Sequence, residues 1–243
     1  MVDSVKPLNR LAVVLVRTQA SGNLGSVARA MMNFGAGQLI LVDPRARINQ
    51  EAFNMATRGR PLLEHPKLYP DLAEALAPFH RSVATTSNRG RQELGLLHPH
   101  QLAHQVALLL AQKKRVALVF GSEDKGLEAA EIDLCHWRVQ IAANANYNVL
   151  NLAQAAAILL AQIFAAIPDN VPPAPALARS AEVEEMLGHL RASLIEIGFL
   201  KKNNPDRIMR DLRRILTSGP LEPRDVRILR GICRQIDYVV GRK

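Results

Sequence analysis

Three short segments carry residue types that can do chemistry. Residues 21–29, SGNLGSVAR, hold two glycines, an amide at Asn23 and a cation at Arg29. Gly22 and Gly25 permit a tight turn whose backbone N–H groups face an anion at a helix start, and Asn23 can order that loop or bind a ligand. The segment has neither the GxGxxG of a dinucleotide site nor the GK[ST] of a phosphate loop. Residues 119–127, VFGSEDKGL, put the carboxylate of Glu123 just after an apolar run, with Gly121 allowing backbone to approach a ligand. Residues 141–157, IAANANYNVLNLAQAAA, crowd Asn144, Asn146, Asn148 and Asn151 before an alanine-rich helix. Amide side chains both donate and accept, which suits reading a base edge or ordering a loop. Each segment alone also reads as ordinary turn and cap chemistry, and Ser122-Glu123-Asp124 could simply cap a short helix.

The elements that must position these residues follow from periodicity. Residues 11–16, 38–42, 82–85, 116–120 and 139–142 are short apolar runs of the kind that forms buried strands. Residues 24–34, 71–77, 99–112 and 150–167 have helical spacing between them, with Gly35 and Gly37 stopping the first. Alternation of this kind predicts an α/β fold, a mostly parallel sheet with helices on both faces. Ligands in such folds bind beyond the C-terminal ends of the strands, after Val16, Thr85, Phe120 and Ala142.

At 243 residues and 48% hydrophobic, the chain can bury a full core, which excludes intrinsic disorder. The net charge of +9 fits phosphate-rich partners, although surface Lys and Arg can also serve solubility alone. Only Cys135 and Cys233 occur, with no CxxC and no His–acid neighbours, so a disulfide scaffold, a zinc site and a cysteine nucleophile are not expected. No apolar run reaches the ~18 residues of a membrane helix, and the first is too short for a secretory signal. A cytoplasmic protein with no membrane and no metal is the expectation. The domain plan is 1–167, a Pro-rich linker over 168–178, and an all-helical module over 179–243. From Phe199 onward there are twelve Lys and Arg against five Asp and Glu, a surplus of +7, so the basic excess belongs to this tail.

The order and spacing of the three segments resemble the SpoU branch of the SPOUT RNA methyltransferases, whose motifs are NxGxxAR, G.E..GL and an Asn-rich LNL helix start. The tail segments IGFLKKNN (197–204), IMRDLRRIL (208–216) and ILRGI (228–232) are similar to the TrmJ-type tRNA 2′-O-methyltransferase subgroup. The resemblance implies a C-terminal trefoil knot in the catalytic domain, S-adenosyl-L-methionine as cofactor, a homodimer whose site is completed across the interface, and tRNA as substrate, at nucleotide 32 of the anticodon loop. Carried over by motif, the cofactor shell comprises Thr85, Thr86, Gly121, Ser122, Ile141, Ala142, Leu150 and Asn151. Arg29 takes the place of the motif arginine, with Asn23 and Glu123 positioning it and its loop. A guanidinium stays protonated, so Arg29 is read as an electrostatic anchor rather than a base. Candidate RNA contacts are Arg89 and Arg91 after the third strand, Lys201 and Lys202, and Arg207, Arg210, Arg213 and Arg214 on a tail helix. Val149 replaces the serine before LNL, Ser122 replaces an arginine, and residues 56–61, ATRGRP, replace an Ala/Gly-rich stretch. Two alternatives remain open at this point: 2′-O-methylation of another RNA such as rRNA, and a non-catalytic RNA-binding paralogue.

Overall fold

The computed structural model describes residues 7–86, 96–144, 146–167, 177–201, 205–219 and 221–241. The chain divides into two compact units, Met1–Ala174 and Pro175–Lys243. The first unit runs β1 (Leu11–Val16), α1 (Ser21–Phe34), β2 (Gln38–Val42), α2 (Gln50–Ala56), a 3-10 turn (Thr57–Gly59), α3 (Arg60–Glu64), β3 (Lys67–Tyr69), α4 (Leu72–Leu76) and β4 (Arg81–Thr85). It continues with β5 (Leu96–Leu97), α5 (Pro99–Ala111), β6 (Val116–Phe120), α6 (Ala129–Asp133), β7 (Trp137–Val139) and α7 (Leu152–Ala166). The strands lie in the order β3-β2-β1-β6-β4-β7-β5. Every pairing is parallel.

All six residues of β1 are buried, so the strand needs no polar alternation. Leu11, Val13 and Leu15 pack with α1, α2, α5 and α7 on one face. Ala12, Val14 and Val16 pack with Leu72, Ala75 and Leu76 of α4 and with Phe79 on the other. The chain runs outward from β1 to β3, crosses to the far half of the sheet, and returns with β6 beside β1. The C-terminal ends of β1, β6, β4 and β7 are thereby neighbours at the point where the order reverses, where open α/β sheets bind ligands.

The structure departs from periodicity in two places that matter for the site. The last strand is Trp137–Val139 rather than 139–142, because the pairing of Val83 with Trp137 sets the register. Arg138, whose charge hides the strand in sequence, is held by Asp133 at 3.0 Å. Ile141 and Ala142 therefore lie beyond the strand end. Helix α1 begins at Ser21, three residues before its apolar pattern, so Gly22 and Gly25 lie inside the helix and form no phosphate-type turn. Gly25 serves packing instead: a Cβ there would sit 2.1 Å from the Ala52 carbonyl oxygen and 2.7 Å from Met55 Cβ.

The second unit contains α8 (Ser180–Glu196), α9 (Asp206–Thr217) and α10 (Pro223–Val240). Val183, Met186 and Leu187 of α8 and Val226 of α10 form its small core. Helix α9 buries no residue, and its Ile208 and Ile215 are exposed. Glu184 receives both guanidinium nitrogens of Arg213, joining α8 to α9. His189 and Ser193 both bond the carboxylate of Asp237, joining α8 to α10. Among the described residues no helix is long and apolar enough to cross a membrane.

Gly25→Ala is expected to lower stability by about 2 kcal/mol or more, since backbone rather than a flexible side chain must move; urea unfolding of the variant measures this. The Ser193 hydroxyl, then His189, holds the Asp237 carboxyl below the usual carboxylate range. Its contribution to stability is complete above the unfolded value near ~4 and is lost as pH falls through the lower folded value. Asp237→Ala is expected to remove this acid-sensitive loss below about pH 4, visible in calorimetric melting of the two chains.

Candidate active site

Glu123 stands three residues after the end of β6, facing the link between β1 and α1. One carboxylate oxygen accepts from the Gln19 backbone N–H at 2.9 Å. The other accepts from the Asn23 amide at 2.7 Å and the Ala20 N–H at 3.3 Å. Asn23 in turn accepts at its Oδ1 from the Asn151 side-chain amide at 3.0 Å. The Asn151 Oδ1 accepts from the Ala153 N–H at 2.9 Å, capping α7. One carboxylate and two amides thus tie together the three motif segments, across separations of a hundred residues and more.

The turn bearing Glu123 is closed on itself. Gly126 donates its N–H to the Ser122 carbonyl at 2.9 Å and adopts φ +67°. Gly121 has no room for a Cβ, which would lie 2.0 Å from the Gly126 carbonyl carbon. The missing side chain at Gly121 makes way for the chain's own returning backbone.

Beside this turn is an open cavity of about 210 Å³. Phe120, Val139, Ile141, Leu152 and Ala155 give it apolar walls, and Gly121, Ser122 and Gly126 contribute backbone. Thr85, Thr86 and Asn148 supply polar groups, Val149 and Leu150 close one side, and Glu123, Asp124 and Lys125 bring charge. The Thr85 hydroxyl is already committed to the Val119 carbonyl at 3.1 Å. Apolar walls beside accessible backbone and a charged turn suit a ligand that is part flat heterocycle and part charged chain.

Arg17, immediately past β1, braces the link from the other side. It takes a left-handed conformation, φ +52°, uncommon for a residue with a side chain. Its guanidinium bonds both oxygens of Glu131 on α6 and lies 3.5 Å from Glu128. The bond to Glu131, more than its burial, decides the pKa of Arg17, which is raised. Cys135 lies near Ser82 and His136, but burial pushes its thiol up to about 12, so no thiolate is available.

Of the residues singled out in sequence, Thr85, Thr86, Gly121, Ser122, Ile141 and Leu150 line the cavity. Asn151 does not line it but fixes α7 beside it, and Ala142 is not part of the lining. Asn23 and Glu123 form the junction. Arg29 is exposed in the third turn of α1 and is not one of the lining residues. In the second unit Lys201, Arg207 and Arg210 are exposed, whereas Arg213 is committed to Glu184 and Arg214 lies 3.6 Å from Asp211. Arg89, Arg91 and Lys202 lie outside the described residues. Sequence reasoning missed Asp124 and Lys125, whose signal was their place inside the Gly121–Gly126 turn. It also missed Arg17 and Glu131, whose partnership across 114 positions leaves no local trace.

Comparison with known proteins places this fold and its three joined segments in a class of RNA-modifying enzymes. Residues 10–161 match the SpoU rRNA methylase family, and residues 181–243 match the C-terminal domain of the tRNA methyltransferase TrmJ. The chain belongs to the SpoU family of RNA methyltransferases. It is 33% identical over 238 residues to the tRNA (cytidine/uridine-2′-O-)-methyltransferase TrmJ of Cronobacter sakazakii, covering 95% of this chain and 97% of that protein. The crystal structure of TrmJ from Z. mobilis ZM4 superposes with a TM-score of 0.80 at 30% identity, covering 93% of this chain and 98% of that one. An AdoMet-bound rRNA methyltransferase from Sinorhizobium meliloti shares the fold, at a TM-score of 0.51 and 24% identity, over 65% of this chain and 57% of that one.

Glu123→Ala leaves an amide and two backbone N–H groups without their acceptor. A loss of about 2–3 kcal/mol in unfolding free energy is expected, with faster hydrogen exchange at Gln19 and Ala20. Glu123→Gln, which keeps one acceptor oxygen, is expected to lose less on both measurements.

Proposed function

We propose that this protein methylates a ribose 2′-hydroxyl of tRNA, at nucleotide 32 of the anticodon loop, with S-adenosyl-L-methionine as donor. The observation that carries the reading is the junction of Glu123, Asn23 and Asn151, which joins all three family segments beside a cavity lined by the second and third. The TrmJ relatives, similar over both parts of the chain, support tRNA as the substrate. The cavity fits the donor in its chemistry: apolar walls for a purine, backbone groups for its edge, and charged residues for an amino-acid tail. Thr85, Thr86, Gly121, Ser122, Ile141 and Leu150 would hold it, with Ala142 next to them in sequence and Asn151 ordering the loop.

The donor supplies a sulfonium methyl group, and transfer is an in-line displacement in which the O–CH3 bond forms as the C–S bond breaks. Arg29 anchors the substrate phosphate and the alkoxide charge that develops on the attacking oxygen. Its guanidinium cannot accept the 2′-hydroxyl proton, which leaves to water or to an RNA phosphate. Asn23 and Glu123 hold the start of α1 and so set where Arg29 stands. The exposure of Arg29, which is not among its own chain's cavity-lining residues, fits a homodimer in which one copy completes the other's site. The trefoil knot belongs to the same reading, as do cytoplasmic location and the division into a catalytic domain over 1–167, a linker and a tail. Lys201, Lys202, Arg207, Arg210 and Arg214 of that tail, together with Arg89 and Arg91, would meet RNA phosphates, whereas Arg213 is held by Glu184.

Calorimetric titration with S-adenosylmethionine, with and without bulk tRNA, tests the donor, and failure to bind in both conditions overturns it. Mass-spectrometric mapping of methylated nucleosides in RNA from a deletion strain tests the target, and loss confined to rRNA would overturn tRNA as substrate. Arg29→Ala is expected to reduce transfer by about 100-fold or more with donor affinity nearly unchanged. Near-normal turnover in that variant would remove Arg29 from the chemistry.

A further inference from the structure

The turn from Ser122 to Gly126 carries two opposite charges at its tip, Asp124 and Lys125, and both line the mouth of the cavity. Lys125 has no place in the junction that Glu123 makes with α1 and α7, and Asp124 meets it only through the Gln19 side chain. The turn is rigid: Gly126 N–H bonds the Ser122 carbonyl at 2.9 Å, and the backbone of Gly126 is pressed against Gly121. Within it the Ser122 hydroxyl, itself only 6% exposed, donates to Asp124 Oδ1 at 2.8 Å. One carboxylate oxygen is thereby fixed while the residue remains exposed to whatever occupies the mouth. Hydrogen bonds from Ser122 and then Gln19 also hold the Asp124 carboxyl below its ordinary range, so it is ionised at neutral pH. Lys125 follows directly on the same turn and is exposed.

A fixed anion next to a cation, at the edge of a cavity with apolar walls, matches a zwitterion attached to an apolar or heterocyclic body. Resting on the donor assigned above, the geometry points to Asp124 and Lys125 as a clamp for the amino-acid end of the nucleoside. Asp124 receives its α-ammonium and Lys125 its α-carboxylate. Such a clamp selects nucleosides that carry the tail over those that lack it, and it fixes which end of the ligand faces the turn. Ser122 is a positioning residue in this arrangement, since its hydroxyl orients Asp124.

The test compares two probes by calorimetry, S-adenosylhomocysteine, which carries the zwitterionic tail, and methylthioadenosine, which does not. The wild-type chain is expected to favour the first by about tenfold or more, the range of charge-assisted hydrogen bonds at a partly exposed site. Asp124→Asn and Lys125→Gln are each expected to shrink that preference several-fold by weakening S-adenosylhomocysteine alone. Unchanged methylthioadenosine affinity in the variants shows that the cavity is intact. A preference that survives in both variants overturns the clamp while leaving the donor assignment standing. Binding of neither probe to the wild-type chain overturns the donor assignment, and the clamp with it.

Discussion

The carboxylate of Glu123 is the constraint on which the site depends. It bonds two backbone N–H groups and one side-chain amide on the link entering α1. A charged acceptor sharing three donors is stronger than three neutral bonds, and its loss would strand all three. Asn23 spends its amide on Glu123 and its carbonyl on Asn151, so neither of its hydrogen-bonding ends is free to choose another conformation. Position is passed from the end of β6 to the start of α1 and then to the start of α7 through these three side chains.

Around that junction the sheet does the coarse positioning. Parallel pairing of β1 with β6 and of β6 with β4 brings their C-terminal ends side by side. Close backbone approach then does the fine positioning, at Gly25 against α2 and at Gly121 against Gly126. Arg17 and Glu131 hold the opposite flank of the same link. The cavity lies beside the Gly121–Gly126 turn, and its lining draws on four separate stretches of chain.

Much of this was legible in sequence. The strands at 11–16, 38–42 and 116–120 coincide with the observed elements, because each is a short apolar run buried on both faces. Strands β3 and β5 were not legible: three and two residues long, they are too short to show a period. The segment at 137–139 was misplaced because its strand identity comes from pairing with β4, against the polarity of Arg138. In the site, Asn23, Glu123 and Asn151 stood out by type, but that they bond one another depends on tertiary geometry. The glycines were only partly legible. At Gly25 an anion-facing turn was expected, and the structure puts the protein's own backbone there, whereas Gly121 meets returning backbone and also lines the cavity.

The sheet order has a consequence for how the chain is made. Strand β1 is central, yet its second neighbour, β6, comes a hundred residues later, pairing Leu11 with Val116. During synthesis β1 and β2 can pair early, but one edge of β1 stays open until residue 120 has left the ribosome. An open, wholly apolar strand edge is a template for wrong partners. Closing it late pairs contacts of high sequence separation, which slows folding. The arrival of β6 seals the exposed edge and brings Glu123 to the link before α1, so closing the edge of β1 and starting the junction are one event, with β7 and Asn151 still to follow.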